Sequence, residues 1–177
     1  MKVKIGPYPD YKWYHNYLFE LFGYTPEQTV NVKLDKWDTW SMDHTLAKIV
    51  LPMLYQLAKT KIGSPHVDDK DVPEALRSSE GEGELMVHDR WDWVMSEMIF
   101  SFETKLAEED WQDQFFSGES DLYNVPILSS QGKVIAFEIK HGPDDTLKID
   151  YDGLREYQER ITNGFRLFGQ YYEGLWD

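Results

Sequence analysis

Four residues of this chain could hold a hard divalent cation or exchange protons with a substrate: Asp43, His44, Glu97 and Glu103. Mg²⁺ and Mn²⁺ take oxygen ligands, and a bound ion makes its water a nucleophile near neutral pH. Such a metal-dependent hydrolase acting on a phosphorylated substrate would need neither a cysteine nor an activated serine. Helix geometry argues against a shared ion, because adjacent helical positions point about 100° apart. Asp43 and His44 therefore do not both aim squarely at one site. The simpler reading makes Asp43 a first-turn acid favoured by the helix dipole and His44 a half-buried residue with its hydrogen bonds met. Glu97 lies on a largely apolar stretch, where a half-buried carboxylate needs a cation. Arg160 and Arg166 are available, so the simpler reading of Glu97 is an ion pair tying two helices together.

Other catalytic patterns are weaker. Glu138 and His141 have Glu-x-x-His spacing, but on a predicted strand end rather than a helix. Glu138-Ile139-Lys140 with Asp121 upstream resembles the trio of a metal-dependent nuclease, yet alternation in any half-solvated strand gives the same spacing. Ser41, Ser96 and Ser101 lack the Gly-x-Ser-x-Gly setting of a hydrolase nucleophile. No glycine pattern for phosphate or dinucleotide binding is present, and there is no Cys to serve as a thiolate or zinc ligand.

Binding is better supplied than catalysis. Trp37, Trp40, Tyr55, Trp91 and Trp93 could stack on a base. Arg77, Arg90, Arg155, Arg160 and Arg166 could grip phosphates. With His44 and Asn163, these residues outline a pocket for a small nucleotide-like, phosphorylated ligand. The same aromatics recur at helical spacing, which equally describes a core. Trp37 and Trp40 crowd a short loop, so they are expected to keep exposed edges. The chain carries 18 basic and 32 acidic residues, a net charge of −14. That field repels nucleic-acid backbones and anionic membranes, so direct nucleic-acid binding is not expected, and it favours cationic partners. The acidic runs over 68–84 and 108–121 are either solvated faces or a decoy for a nucleic-acid-binding host protein.

The elements that must position these groups follow from periodicity. Alternation over 2–5 and 29–34 predicts two pairing strands, separated by Gly6-Pro7-Tyr8-Pro9 and a helix over 11–22 capped by Gly23. The apolar stripe of that helix is Trp13, Tyr17, Leu18, Leu21 and Phe22. A helix from Ser41 or Thr39 carries apolar residues nearly all round, which predicts a central position, with a kink at Pro52. Residues 66–84 read as a long, flexible acidic loop with one helical turn near 73–77. A second long helix, from 85 or 88 to 106, buries Trp91, Val94, Met95, Met98, Ile99, Phe102 and Leu106. Residues 108–116 form a short helix with a Trp111–Phe115 contact. Residues 125–128 and 133–139 form a hairpin about Ser129-Ser130-Gln131-Gly132, with Pro126 marking an edge strand. A turn at 142–145 leads to a short strand over 146–149. The last helix, 151–172, has Leu154, Tyr157, Ile161, Phe165, Phe168 and Tyr172 as its predicted core stripe. At 177 residues the whole fits one α+β domain, mainly helical, with a small antiparallel sheet. No apolar run is long enough to span a bilayer, and residues 1–6 lack a signal core.

Three runs carry a family resemblance. They are Trp37-Asp38-Thr39-Trp40-Ser41-Met42-Asp43-His44-Thr45-Leu46-Ala47, Arg90-Trp91-Asp92-Trp93 through Glu97-Met98-Ile99-Phe100, and Arg160-Ile161-Thr162-Asn163-Gly164-Phe165-Arg166-Leu167-Phe168-Gly169. They resemble a family of small proteins encoded by tailed bacteriophages. The resemblance implies action inside the cytoplasm of an infected bacterium, or a minor place in the virion. It brings no activity and no site residues. The expectation is an accessory protein that binds a host protein or a small phosphorylated ligand. A metal-dependent hydrolase and a virion component are the alternatives. Exposed aromatic patches would also suit a homodimer.

Overall fold

The computed structural model describes residues 1–5, 12–24, 30–77 and 86–176. The expected break at Gly6-Pro7-Tyr8-Pro9, helix entry at Tyr11, strand entry at Thr29 and the acids Glu80, Glu82 and Glu84 lie outside the described residues. The chain divides into two compact units, Met1–Lys48 and Ile49–Asp177.

In the first unit, β1 (Lys2–Ile5) pairs antiparallel with β2 (Val30–Lys33), Val3 opposite Val32. Between them runs α1 (Trp13–Phe22), closed by Gly23, whose N–H reaches the Phe19 carbonyl. The expected apolar stripe is present, but none of it is buried; Trp13, Tyr17, Leu21 and Phe22 are all exposed. Trp13 instead meets Tyr14 and Tyr17 edge-on within the helix. A short 3-10 turn, Lys36–Thr39, leads into α2 (Met42–Thr60). The Ser41 carbonyl accepts the first bond of that helix, from Thr45.

The helix α2 is not the buried centre its composition suggests. Ala47 and Leu54 are buried, whereas Met42, Leu46 and Met53 are exposed. The chain stays helical through Pro52, whose missing N–H leaves the Lys48 carbonyl without a helical donor.

The buried helix is α3 (Val87–Leu106), in the second unit. Trp91, Val94, Met95, Met98 and Phe102 form its continuous apolar face, each side chain stabilising the fold by about 1.5–3 kcal/mol on burial. That face packs on α4 (Tyr151–Gln170), capped at its start by the Asp150 carboxylate accepting from the Gly153 N–H. The buried stripe of α4 is turned from the expected one. Ile161, Gly164 and Leu167 of the helix and Tyr171 just beyond it are buried, while Phe165 and Tyr172 are exposed. The cause is Gly164. A Cβ there would stand 1.9 Å from Ser101 Oγ and 2.3 Å from the Glu97 carbonyl oxygen. The bare glycine lets the two helices approach at that point, and the approach selects the face.

Two small antiparallel pairs complete the unit. The strands β3 (Phe116–Ser117) and β6 (Lys148–Ile149) pair beside the N-terminal end of α4. The hairpin of β4 (Leu122–Leu128) and β5 (Val134–His141) is longer than expected, with Val125 opposite Glu138 and Pro126 opposite Phe137. Its turn has Gly132 at φ 76°, a region that disfavours side chains. Trp111 meets Phe115 edge-on and stacks on Tyr157. The architecture is α+β, mainly helical, with two-stranded antiparallel sheets. Among the described residues no helix is long and apolar enough to cross a membrane.

Candidate functional site

The polar residues of the second unit converge on the seam between α3, α4 and the segment 66–77. Glu97 is buried on α3 and accepts from Arg160 Nε at 2.9 Å and Nη2 at 2.7 Å. The same guanidinium lies 3.7 Å from the centre of the Phe100 ring. Its hydrogen bonds to Glu97 hold Arg160 firmly protonated, above even its usual range. This is the expected ion pair between two helices.

One turn beyond Asn163, Arg166 donates to Asn163 at 3.0 Å and to Asp71 at 2.6 Å. Asp71 is buried although it lies in the acidic segment, and Val67 and Val72 are buried beside it. Tyr171 donates its hydroxyl to the other Asp71 oxygen at 2.7 Å and accepts from the Asp68 N–H at 3.0 Å. Burial first, and then the hydrogen bond to Asp71, push the Tyr171 hydroxyl up to about 12. A third arginine, Arg90, is buried at the start of α3 and donates to the Val67 carbonyl and to Asp69. Three arginines thus pin residues 67–71 and 97 to the helix pair. The described part of the acidic stretch, 66–77, is packed through two 3-10 turns, Asp69–Asp71 and Glu74–Leu76.

This seam corrects the expected ligand pocket. Trp91 is fully buried and meets Tyr171 edge-on, so it presents no face to a ligand. Arg90, at 3% exposure, cannot reach one either. Arg160, Arg166 and Asn163 are spent on each other and on carboxylates. Trp93 is half-buried on the same helix. In the first unit, Trp37 and Trp40 are 65% and 83% exposed, 6.3 Å apart between ring centres, with Lys36 over the Trp37 face. Asp43 is exposed and His44 half-buried.

The metal reading gains no geometry. Among the described residues no group of three or more His, Asp or Glu side chains is arranged to hold an ion. Glu103 is exposed and accepts from the Tyr55 hydroxyl, which raises the tyrosine's pKa. Ser101 is fully buried and donates to the Ile161 carbonyl, so it is no nucleophile.

Two features escaped the sequence reading. The first is an apolar cleft of about 700 Å³ between the C-terminal half of α2 and the end of α4. Val50, Met53, Leu57, Phe168, Tyr172 and Trp176 line it. Trp176 lies against Gly63, and Pro65 against Gly174. The second is the dyad of His141 and Asp145, in which the imidazole hydrogen bond holds Asp145 below the usual carboxylate range. Asp121 stands beside the dyad, accepting from the Asp144 N–H, and the His141 side chain is exposed. Comparison with protein-family models, with curated proteins and with solved structures finds no match.

Proposed function

We propose that this chain is a bacteriophage accessory protein that acts by binding a protein of the infected cell, not by catalysis. The observation carrying the reading is the commitment of the three arginines at the α3–α4 seam. Arg90, Arg160 and Arg166 are each closed onto a carboxylate, while the 700 Å³ cleft is lined mainly by apolar and aromatic side chains. A phosphorylated ligand gripped by these three would have to break charge-assisted bonds that already fasten the core. An amphipathic segment of a partner would break none. It would set apolar side chains against Met53, Leu57, Phe168 and Trp176, as a helix does in a groove. The net charge of −14 favours a partner with basic flanks, because it speeds their encounter.

The test is affinity enrichment from infected cells, followed by titration of each purified candidate against wild type, Met53→Asp and Trp176→Ala. The expected result is one candidate with at least a tenfold loss of affinity for both variants, the loss of one buried anchor being about 1.4 kcal/mol or more. If every candidate binds both variants as it binds wild type, the cleft is not the binding site and the proposal fails. Recovery of the chain in purified particles at fixed stoichiometry would favour the virion reading instead.

A further inference from the structure

Among the described residues β5 pairs only with β4, so its other edge has no strand beside it. All eight residues of β5 are exposed. Edge strands are commonly protected by proline, a bulge or inward charges. Pro126 lies on β4, and β5 contains no proline; its bulge, where Ile135 has no partner on β4, falls outside residues 137–141. One face of the hairpin is also largely apolar. Leu122, Pro126, Phe137 and Ile139 share it by register with Asn124 and His141, and Phe137 and Ile139 are each 65% exposed.

The charges of β5 select an occupant. Glu138 and Lys140 lie on the opposite face, 3.4 Å apart between charged atoms. Their cross-strand neighbours are Val125 and Tyr123, so neither meets an opposite charge across its own hairpin. An antiparallel strand related by a two-fold axis perpendicular to the sheet must pair residues of equal parity, because the axis preserves the faces. Centring that axis on Glu138 or on Lys140 sets like charges opposite one another. Centring it on Phe137 sets Glu138 opposite Ala136 and Lys140 opposite Val134. Centring it on Ile139 sets Glu138 opposite Lys140 of the second copy, twice, with Ile139 opposite itself and Phe137 opposite His141.

We infer that two copies of this chain associate through antiparallel β5–β5 pairing centred on Ile139, giving a continuous four-stranded sheet. The register places Phe137 and Ile139 of both copies on one apolar surface and adds two cross-strand ion pairs. The overlap is only five residues, 137–141, so the dimer is weak, with Kd on the order of 10 µM. The inference stands apart from the partner-binding cleft, which lies on other elements.

Sedimentation of the full chain between roughly 1 and 100 µM should show a monomer–dimer equilibrium. Glu138→Lys and Lys140→Glu should each weaken it about tenfold, since each makes two like-charge pairs. The double exchange should restore it. Far-UV circular dichroism should match wild type in all three. The chain has no cysteine, so Ile139→Cys reports the axis directly. A residue opposite itself falls within disulfide reach and should cross-link under mild oxidation. Phe137→Cys, which faces His141, should not. A monomer throughout the range, a dimer indifferent to the charge exchange, or equal cross-linking at both positions would overturn the inference.

Discussion

Gly164 sits against Ser101 so closely that a Cβ on the glycine would stand 1.9 Å from the serine hydroxyl oxygen. Ser101 is fully buried and bonded to the Ile161 carbonyl, so it cannot turn aside without losing that bond. Gly164→Ala should therefore destabilise the second unit by about 3 kcal/mol, the upper part of the usual cost of overpacking. Gly169 meets nothing within 4 Å. Gly169→Ala should be neutral or stabilise by about 0.5–1 kcal/mol, since alanine favours the helix. Urea unfolding of the two variants checks both signs.

Tyr171 gives the fold an alkaline limit. Its hydroxyl is held protonated, up to about 12, against about 10 in an unfolded chain. The folded form therefore binds the proton more tightly. The contribution is complete below pH 10 and is lost as pH rises from 10 towards 12. The melting temperature should fall across that window, and less steeply in Tyr171→Phe. At pH 7 the same variant should cost about 1–3 kcal/mol, because the Asp71 carboxylate loses a donor and the Asp68 N–H loses its acceptor. Calorimetry at pH 7, 10 and 11.5 measures each.

Glu97→Gln separates the structural from the metal reading. Glu97 is buried, but the Arg160 side chain is half in water and keeps its stack on Phe100. The expected cost is about 1–2 kcal/mol, below that of breaking a fully buried pair. Mn²⁺ should raise the melting temperature of neither wild type nor variant, because a metal that binds only the folded state must stabilise it. A rise in wild type that Glu97→Gln abolishes would restore the hydrolase reading.

The dyad of Asp145 and His141 should be visible by NMR. The imidazole is the largest cause holding the Asp145 carboxyl below its ordinary value. A depressed carboxylate stabilises the fold above its unfolded pKa and loses that contribution as pH falls through the folded one. In His141→Ala the Asp145 carboxyl should titrate at higher pH. An unchanged midpoint would show that the backbone donors Asp121 and Leu147 alone hold it down.

Elements with long, regular periods were legible from residue type. The face of α3, the hairpin about Gly132, the pairing of residues 2–5 with 30–33 and the ion pair at Glu97 all follow from local pattern or from one unpaired charge. The face of α4 did not, because hydrophobicity ranks Phe165 and Tyr172 above a glycine, while close approach rewards Gly164. Asp71 was hidden by its neighbours. A run of acids reads as solvated, and only Val67 and Val72 beside it signalled burial. Trp91 read equally as a ligand group and as core, whereas Arg90 read as a ligand group alone; the structure buries both. The cleft could not be read at all, since it joins residues 50–57 to 168–176, far apart in the chain.

The fastenings of the core span long stretches of chain: 63 positions from Glu97 to Arg160 and 103 from Asp68 to Tyr171. A ribosome adds about 5–20 residues per second, so α3 emerges roughly 3–13 s before Arg160 follows it. Through that interval Trp91, Met95 and Met98 have no covering helix. The nascent chain must carry that apolar face bare until α4 has been made. Its yield in a cell should therefore depend on the chaperones that meet it during translation.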